Sequence, residues 1–223
     1  MMVLSSCPLF WNIPPEGITS CLQCSTGKIV TYQKGQILFH NGDTPRYLYV
    51  LLEGSVEICQ DFSGGSRIII NVFQRPGQLF GEVFLFFQDH PYPCYSIASQ
   101  NTTVLEIPKS FFYETCGKNC NYHTQLIQNM LSILAKKTYF LNRKVQLLSR
   151  PTLRQKIVSY LFQQEHSGQM VTLPLNREQL ADYLGVTRPS LSRELMKMQR
   201  ESLIAVKGRQ VTLLQMDALR QLL

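Results

Sequence analysis

The sequence predicts an α+β chain in three stretches: an antiparallel β-roll, one long helix, and a small helical module closed by a strand hairpin. Three observations predict it. Short runs of β-branched and aromatic residues, parted by glycine-bearing turns, fill residues 28–107. After Pro108 the apolar period changes to alternating steps of three and four. Beyond Arg150-Pro151-Thr152, two short helical patterns are joined by a glycine and followed by two strand-like runs. The expected divisions are 1–120, with a helical segment ahead of the roll, then 121–149 and 150–223. At 223 residues the chain has room for two modest cores rather than one large enzyme barrel.

In the roll the clearest strands are Leu48–Leu52, Ser55–Cys59, Ile68–Val72 and Thr103–Ile107, rich in side chains that pack on a pleated surface. Turns are marked by Lys34-Gly35, Asn41-Gly42, Glu53-Gly54, Pro76-Gly77 and Gly81. Gly64 and Gly65, in the reversal from Asp61, supply the positive φ angles that a hairpin needs.

From about Asn121 to Ser149, Ile127, Leu131, Leu134, Leu141, Val145 and Leu148 recur with Thr138 in the one gap. This is a heptad seam, and pairing with a second copy buries it at least cost; packing back on the roll is the alternative. Pro151 ends the helix, because proline disfavours the α region in the residue before it, and a hinge is expected there. A helix from Thr152 to about Glu165 and a short strand from Met170 follow.

Residues 176–200 carry the functional pattern. Asn176 suits the cap of a first helix with Leu180, Ala181 and Leu184 inward; Gly185 suits a left-handed turn; Val186 fills the angle between helices; Thr187 caps a second helix with Pro189 in its first turn. Leu191, Leu195 and Met198 face inward there, leaving Arg188, Ser190, Ser192, Arg193 and Lys197 outward. The small Ala181 permits the close crossing of a helix-turn-helix. Strands 203–207 and 210–214 then form a wing around Gly208-Arg209. Arginine binds guanine O6 and N7 bidentately, while hydroxyls and helix N-terminal amides hold phosphates. Asn176, Arg177, Thr187, Arg188, Ser190, Ser192, Arg193, Lys197, Lys207 and Arg209 are therefore the candidate contacts to double-stranded DNA.

Charge agrees. Residues 1–120 hold seven Lys/Arg against nine Asp/Glu, 121–148 hold four against none, and 149–223 hold eleven against six, so the net +7 splits as −2, +4 and +5. A basic excess in one terminal module is the footprint of a surface that meets a polyanion. No apolar run is long enough to span a bilayer and no signal peptide opens the chain, so a cytoplasmic protein without a membrane partner is expected. Seven cysteines, an odd number, fit reduced thiols. No Walker loop, His-x-x-x-His pair or nucleophile with an evident base is found, so no enzyme is expected.

With these motifs in hand, the chain resembles the Crp/Fnr family of bacterial transcription regulators. The resemblance rests on KGQILFHNG at 34–42, YVLLEG at 49–54, PGQLFGE at 76–82 and the helix-turn-helix ending in ESLI at 201–204. It implies a jelly roll like that of cyclic-nucleotide-binding domains, a homodimer on a palindromic operator with two recognition helices in successive major grooves, and recruitment of RNA polymerase. In cyclic-AMP-binding members a Gly-Glu pair is followed, eleven residues after the Gly, by an Arg-Ser pair that clamps the cyclic phosphate. Here Gly81-Glu82 stand but Tyr92-Pro93 replace the clamp, so an effector other than cyclic AMP in that pose is expected. Gly81, Glu82, Tyr92, Pro93 and Cys94 are the candidate effector pocket. Phe84, Phe86, Phe87, Tyr92 and Tyr95 either line an apolar pocket or fill the core.

The cysteines raise an alternative: a redox or metal sensor in which DNA binding is secondary. Cys21-x-x-Cys24 resembles the iron–sulfur arm of the oxygen-sensing branch but departs from its denser, earlier cysteine group. Cys116, Cys120 and His123 would share one face if that segment is helical, a spacing suited to a soft metal; free cysteines also pack as small hydrophobes.

Overall fold

A computed structural model describes residues 2–87, 89–113, 122–164 and 166–223, apart from the side chains of Met2, His166 and Ser167. They form two compact units, Met1–Ala135 and Lys136–Leu223.

The first unit opens with α1 (Met2–Ser6), a 3-10 turn and α2 (Pro15–Ser25). Then come β1 (Lys28–Tyr32), β2 (Ile37–Phe39), β3 (Tyr47–Glu53), β4 (Val56–Asp61), β5 (Arg67–Phe73), β6 (Leu79–Phe80), α3 (Glu82–Leu85), β7 (Tyr95–Ala98), β8 (Thr102–Pro108) and α4 (Ser110–Tyr113). The strands form two antiparallel sheets, in the orders β1-β8-β3-β6 and β2-β7-β4-β5, which is the expected roll. Strand β3 alternates between two cores, as a strand buried on both faces must. Leu48 and Val50 join a core with Leu9, Phe10 and Ile18 of the N-terminal segment, whereas Tyr49 and Leu51 join one with Phe39, Phe80 and Tyr92. Gly54 has φ +97, and a Cβ there would lie 2.6 Å from the carbonyl oxygen of Asn101, so the β3–β4 turn admits only glycine.

The long helix α5 (His123–Leu148) starts and stops within two residues of its expected bounds. Its first turns belong to the roll: Leu126 and Met130 are buried in the N-terminal core, and the buried Asn129 amide donates to the carbonyls of Leu9 and Trp11 at 2.9 and 2.8 Å. Its last turn belongs to the second unit, where Leu147 is fully buried. The break at Arg150–Thr152 therefore falls inside the second unit and is not the boundary between units.

That unit continues with α6 (Leu153–Gln163), β9 (His166–Ser167), β10 (Met170–Thr172), α7 (Arg177–Leu184), α8 (Arg188–Arg200), β11 (Ile204–Lys207), β12 (Gln210–Leu213) and α9 (Met216–Arg220). Its strands make one antiparallel sheet, β11-β12-β10-β9. Its core draws on every helix of the unit.

Five of the six seam positions of α5 are half-buried or exposed without a place in either core: Ile127, Leu131 at 62% exposure, Leu141 at 63%, Val145 and Leu148. Leu134 departs from expectation, because it packs with Ile133 against the core of its own roll. Tyr139 and Phe140, outside the heptad pattern, are exposed beside the seam.

Candidate nucleic-acid interface

The two helices of the interface are stopped and started by their own side chains. Asn176 caps α7: its Oδ1 accepts from the Gln179 amide at 2.9 Å, and its own amide donates to Gln179 Oε1 at 3.0 Å. Gly185 takes the left-handed conformation at φ 65, and the Val186 amide closes back on the Ala181 carbonyl at 3.0 Å. Thr187 then caps α8 by accepting from the Ser190 amide at 3.4 Å, with Pro189 in the first turn. Leu180, Ala181 and Leu184 meet Leu191, Leu195 and Met198 in one core.

Two ties hold α8 in its orientation, and a third joins α7 to the wing. Arg154 on α6 reaches Glu194 at 2.6 Å and both oxygens of Glu201 at 2.6 and 3.1 Å. These contacts raise the basicity of Arg154 and hold the Glu201 carboxyl below its ordinary pKa. Gln199 Oε1 accepts from the Val206 amide at 3.0 Å, fixing the end of α8 to β11. Arg177 donates to the carbonyl oxygen of Gly208 at 3.1 Å, fixing α7 to the tip of the wing, and partial burial lowers its pKa.

The expected DNA contacts divide accordingly. Arg188, Arg193, Lys197, Lys207 and Arg209 are exposed, and Ser192 is half-buried at their margin. Asn176 and Thr187 have their side chains engaged in caps, and Ser190 Oγ lies 2.9 Å from Thr187 Oγ1. Arg177 is a structural tie instead of an outward cation. Sequence reasoning passed over Met196 and Arg200, which are exposed on α8 alongside Arg193; projecting the helix at 100° per residue from its three buried positions finds them.

In the roll, Gly81 caps α3 at φ 81 and Glu82 is buried behind it. Tyr92, only 2% exposed, stacks on Phe39 with ring centroids 3.8 Å apart and meets Phe84 edge-on at 5.9 Å. Burial, with Cys94, Glu82 and Asp43 nearby, pushes its phenol pKa up. Cys94 is buried and Pro93 turns outward. Tyr49 stacks on Phe80 at 5.0 Å, so aromatic rings fill the middle of the roll. A cavity of about 280 Å³ remains beside Tyr92, lined also by Asp43, Thr44, Arg46 and Tyr47. Of the other expected aromatics Phe84 packs in this core, Phe86 packs in the N-terminal one, and Phe87 is exposed.

Cys116 and Cys120 lie outside the described residues. His123 is buried and stacks flat on Phe111, with centroids 4.5 Å apart. Among the described residues no group of three His, Cys, Asp or Glu side chains could hold a metal ion, and no helix is long and apolar enough to cross a membrane.

Comparison with known proteins agrees with this geometry. Residues 29–119 match the model of a cyclic nucleotide-binding domain, and residues 155–222 match that of a Crp-like helix-turn-helix domain. The fumarate and nitrate reduction regulatory protein of Escherichia coli K12 is 28% identical over 197 residues, 85% of this chain and 76% of that protein. The catabolite activator protein of Thermus thermophilus superposes with TM-score 0.52 at 22% identity over 96% of this chain and 97% of its own. The sensor domain of the regulator DNR from Pseudomonas aeruginosa covers 68% of this chain and 93% of its own, with TM-score 0.51 at 22% identity.

Proposed function

Because the chain belongs to the Crp/Fnr family of transcription regulators, we propose that it works as a cytoplasmic homodimer that binds a palindromic operator in double-stranded DNA, recruits RNA polymerase, and answers to an effector other than clamped cyclic AMP. Its relatives are regulators rather than enzymes. One observation carries the DNA reading. Helix α8 is tied on one side by Arg154 and Gln199 while Arg188, Arg193 and Lys197 stand exposed on it, next to a wing tipped by Lys207 and Arg209. That is a rigid element with base-reading groups, flanked by cations for phosphate.

The dimer reading rests on Leu131, Leu141 and Val145, which a single chain leaves in water along one side of α5. The effector reading rests on Tyr92. Its ring lies among Phe39 and Phe84 where the family's phosphate clamp would stand, so the Arg-Ser pair that would hold a cyclic phosphate there is replaced by a ring packed on other rings. Reading the protein mainly as a metal or redox sensor is not favoured, since the helix-turn-helix match spans nearly the whole C-terminal module.

The test is to select preferred duplexes from a random pool and titrate them against scrambled DNA at rising salt. A steep loss of affinity with salt, together with strong preference for a palindrome, is expected. Weak binding that is flat in salt and indifferent to sequence would overturn the reading.

A further inference from the structure

The buried side chains Leu191, Leu195 and Met198 fix which way α8 faces. At 100° per residue the direction opposite to them is held by Pro189, Arg193, Met196 and Arg200. Two of these four are apolar. Met196 is 57% exposed, Pro189 is exposed, and neither belongs to the core of the unit. They lie one helical turn on either side of Arg193, so the middle of an otherwise cationic face carries two apolar groups that stand outside the core of the unit.

In the major groove only one base-edge feature suits such groups, the C5-methyl of thymine; every other distinguishing mark there is a hydrogen-bond donor or acceptor. Proline offers a rigid apolar edge without a donor. Methionine offers a long, polarizable thioether that adapts to an uneven surface. We propose that Met196 and Pro189 are specificity-determining residues that pack against thymine methyl groups in each half-site, on either side of the base read by Arg193. The inference rests on α8 being the recognition helix and adds the chemistry of what its apolar positions select.

The probe is the operator selected by the wild-type protein, with each thymine replaced in turn by deoxyuridine, which removes the methyl and keeps every hydrogen-bonding group. In wild type, one or two such replacements per half-site are expected to weaken binding by about three- to tenfold, the scale of losing one buried methyl contact. In Met196→Ala or Pro189→Ala the penalty should disappear at the position that residue reads, and Met196→Leu should keep it. Both side chains are exposed and outside the core, so the variants are expected to fold; equal melting temperatures and an unchanged salt slope check this. A flat deoxyuridine series in wild type, or a penalty that persists in the double variant, overturns the inference. If selection yields no preferred sequence the recognition-helix reading fails with it, whereas a clear operator that loses discrimination in Arg193→Ala but shows a flat series sinks this inference alone.

Discussion

The interior of the roll and the outward face of α8 are built from opposite solutions to the same problem. In the roll, Phe39, Tyr49, Phe80 and Tyr92 satisfy one another ring against ring, beside a cavity of about 280 Å³. On α8 the charged side chains that could pair do so on the inner flank, Arg154 with Glu194 and Glu201, while Arg188, Arg193 and Lys197 are left to solvent. Where the family resemblance puts a phosphate clamp, the roll has the buried ring of Tyr92. A helix that keeps exposed cations on a rigid frame has kept its ligand. The energetic signs differ accordingly: changes in the roll interior should cost stability, and changes on the α8 face should cost binding alone.

The largest effect expected lies at neither place but in the helix that joins them in sequence. Leu141→Asp puts like charges opposite each other in the paired seam, so sedimentation should report monomers and operator affinity should fall roughly a hundredfold or more. Leu141 touches neither core, so the monomer should stay folded; Leu134→Asp would confound the test, because Leu134 packs on its own roll. A dimeric Leu141→Asp protein would remove the seam.

In the roll, Tyr92→Ala should lower stability by about 3–5 kcal/mol, as removal of a buried ring does. Tyr92→Phe sharpens the point. The buried Tyr92 hydroxyl has no hydrogen-bond partner among the described residues, so its removal should leave stability unchanged or raise it by about 1 kcal/mol. A clear loss on denaturant unfolding would mean that the hydroxyl is used, and that the interior is a site rather than filler.

On the inner flank of α8, Arg154→Ala should cost about 1–3 kcal/mol, between the values for exposed and buried pairs, since Arg154 is about one-fifth exposed. Arg154→Lys should not restore it, lacking the fork that spans two carboxylates. The smallest expected effect is a pH dependence. Glu201, its pKa lowered by Arg154, contributes stability above the ordinary carboxylate pKa and loses it as pH falls through the lowered value. The stability gap between wild type and Glu201→Gln should thus be present at neutral pH and close in acid; a constant gap would deny the pairing.

The architecture was legible where local chemistry and tertiary packing agree. The caps at Asn176 and Thr187 and the left-handed Gly185 appear where turn and cap preferences put them, because each is decided within a few residues. The heptad period was readable too, but it does not say which partner a position finds: Leu134 meets the roll while Leu131 meets solvent. Long-range choices were hidden for the same reason. Nothing near Arg177 in sequence announces Gly208, 31 residues away, as its acceptor, and nothing near Tyr92 announces Phe39 as its stacking partner. The outward set on α8 was read by residue type, which admitted Ser190 and passed over Met196; angular position would have reversed both.

Sequence reading by the exposed face of α8, with phosphate contacts supplied by the wing, is the proposal on which the function rests. It is tested most directly by comparing Arg193→Ala and Lys207→Ala against the selected operator and against that operator with one base pair changed at each position in turn. Arg193→Ala should lose about 1–3 kcal/mol on the operator and lose discrimination at one position per half-site, whereas Lys207→Ala should weaken every duplex alike and reduce the salt slope by about one. Undiminished discrimination in Arg193→Ala would mean that α8 does not read the operator through this face.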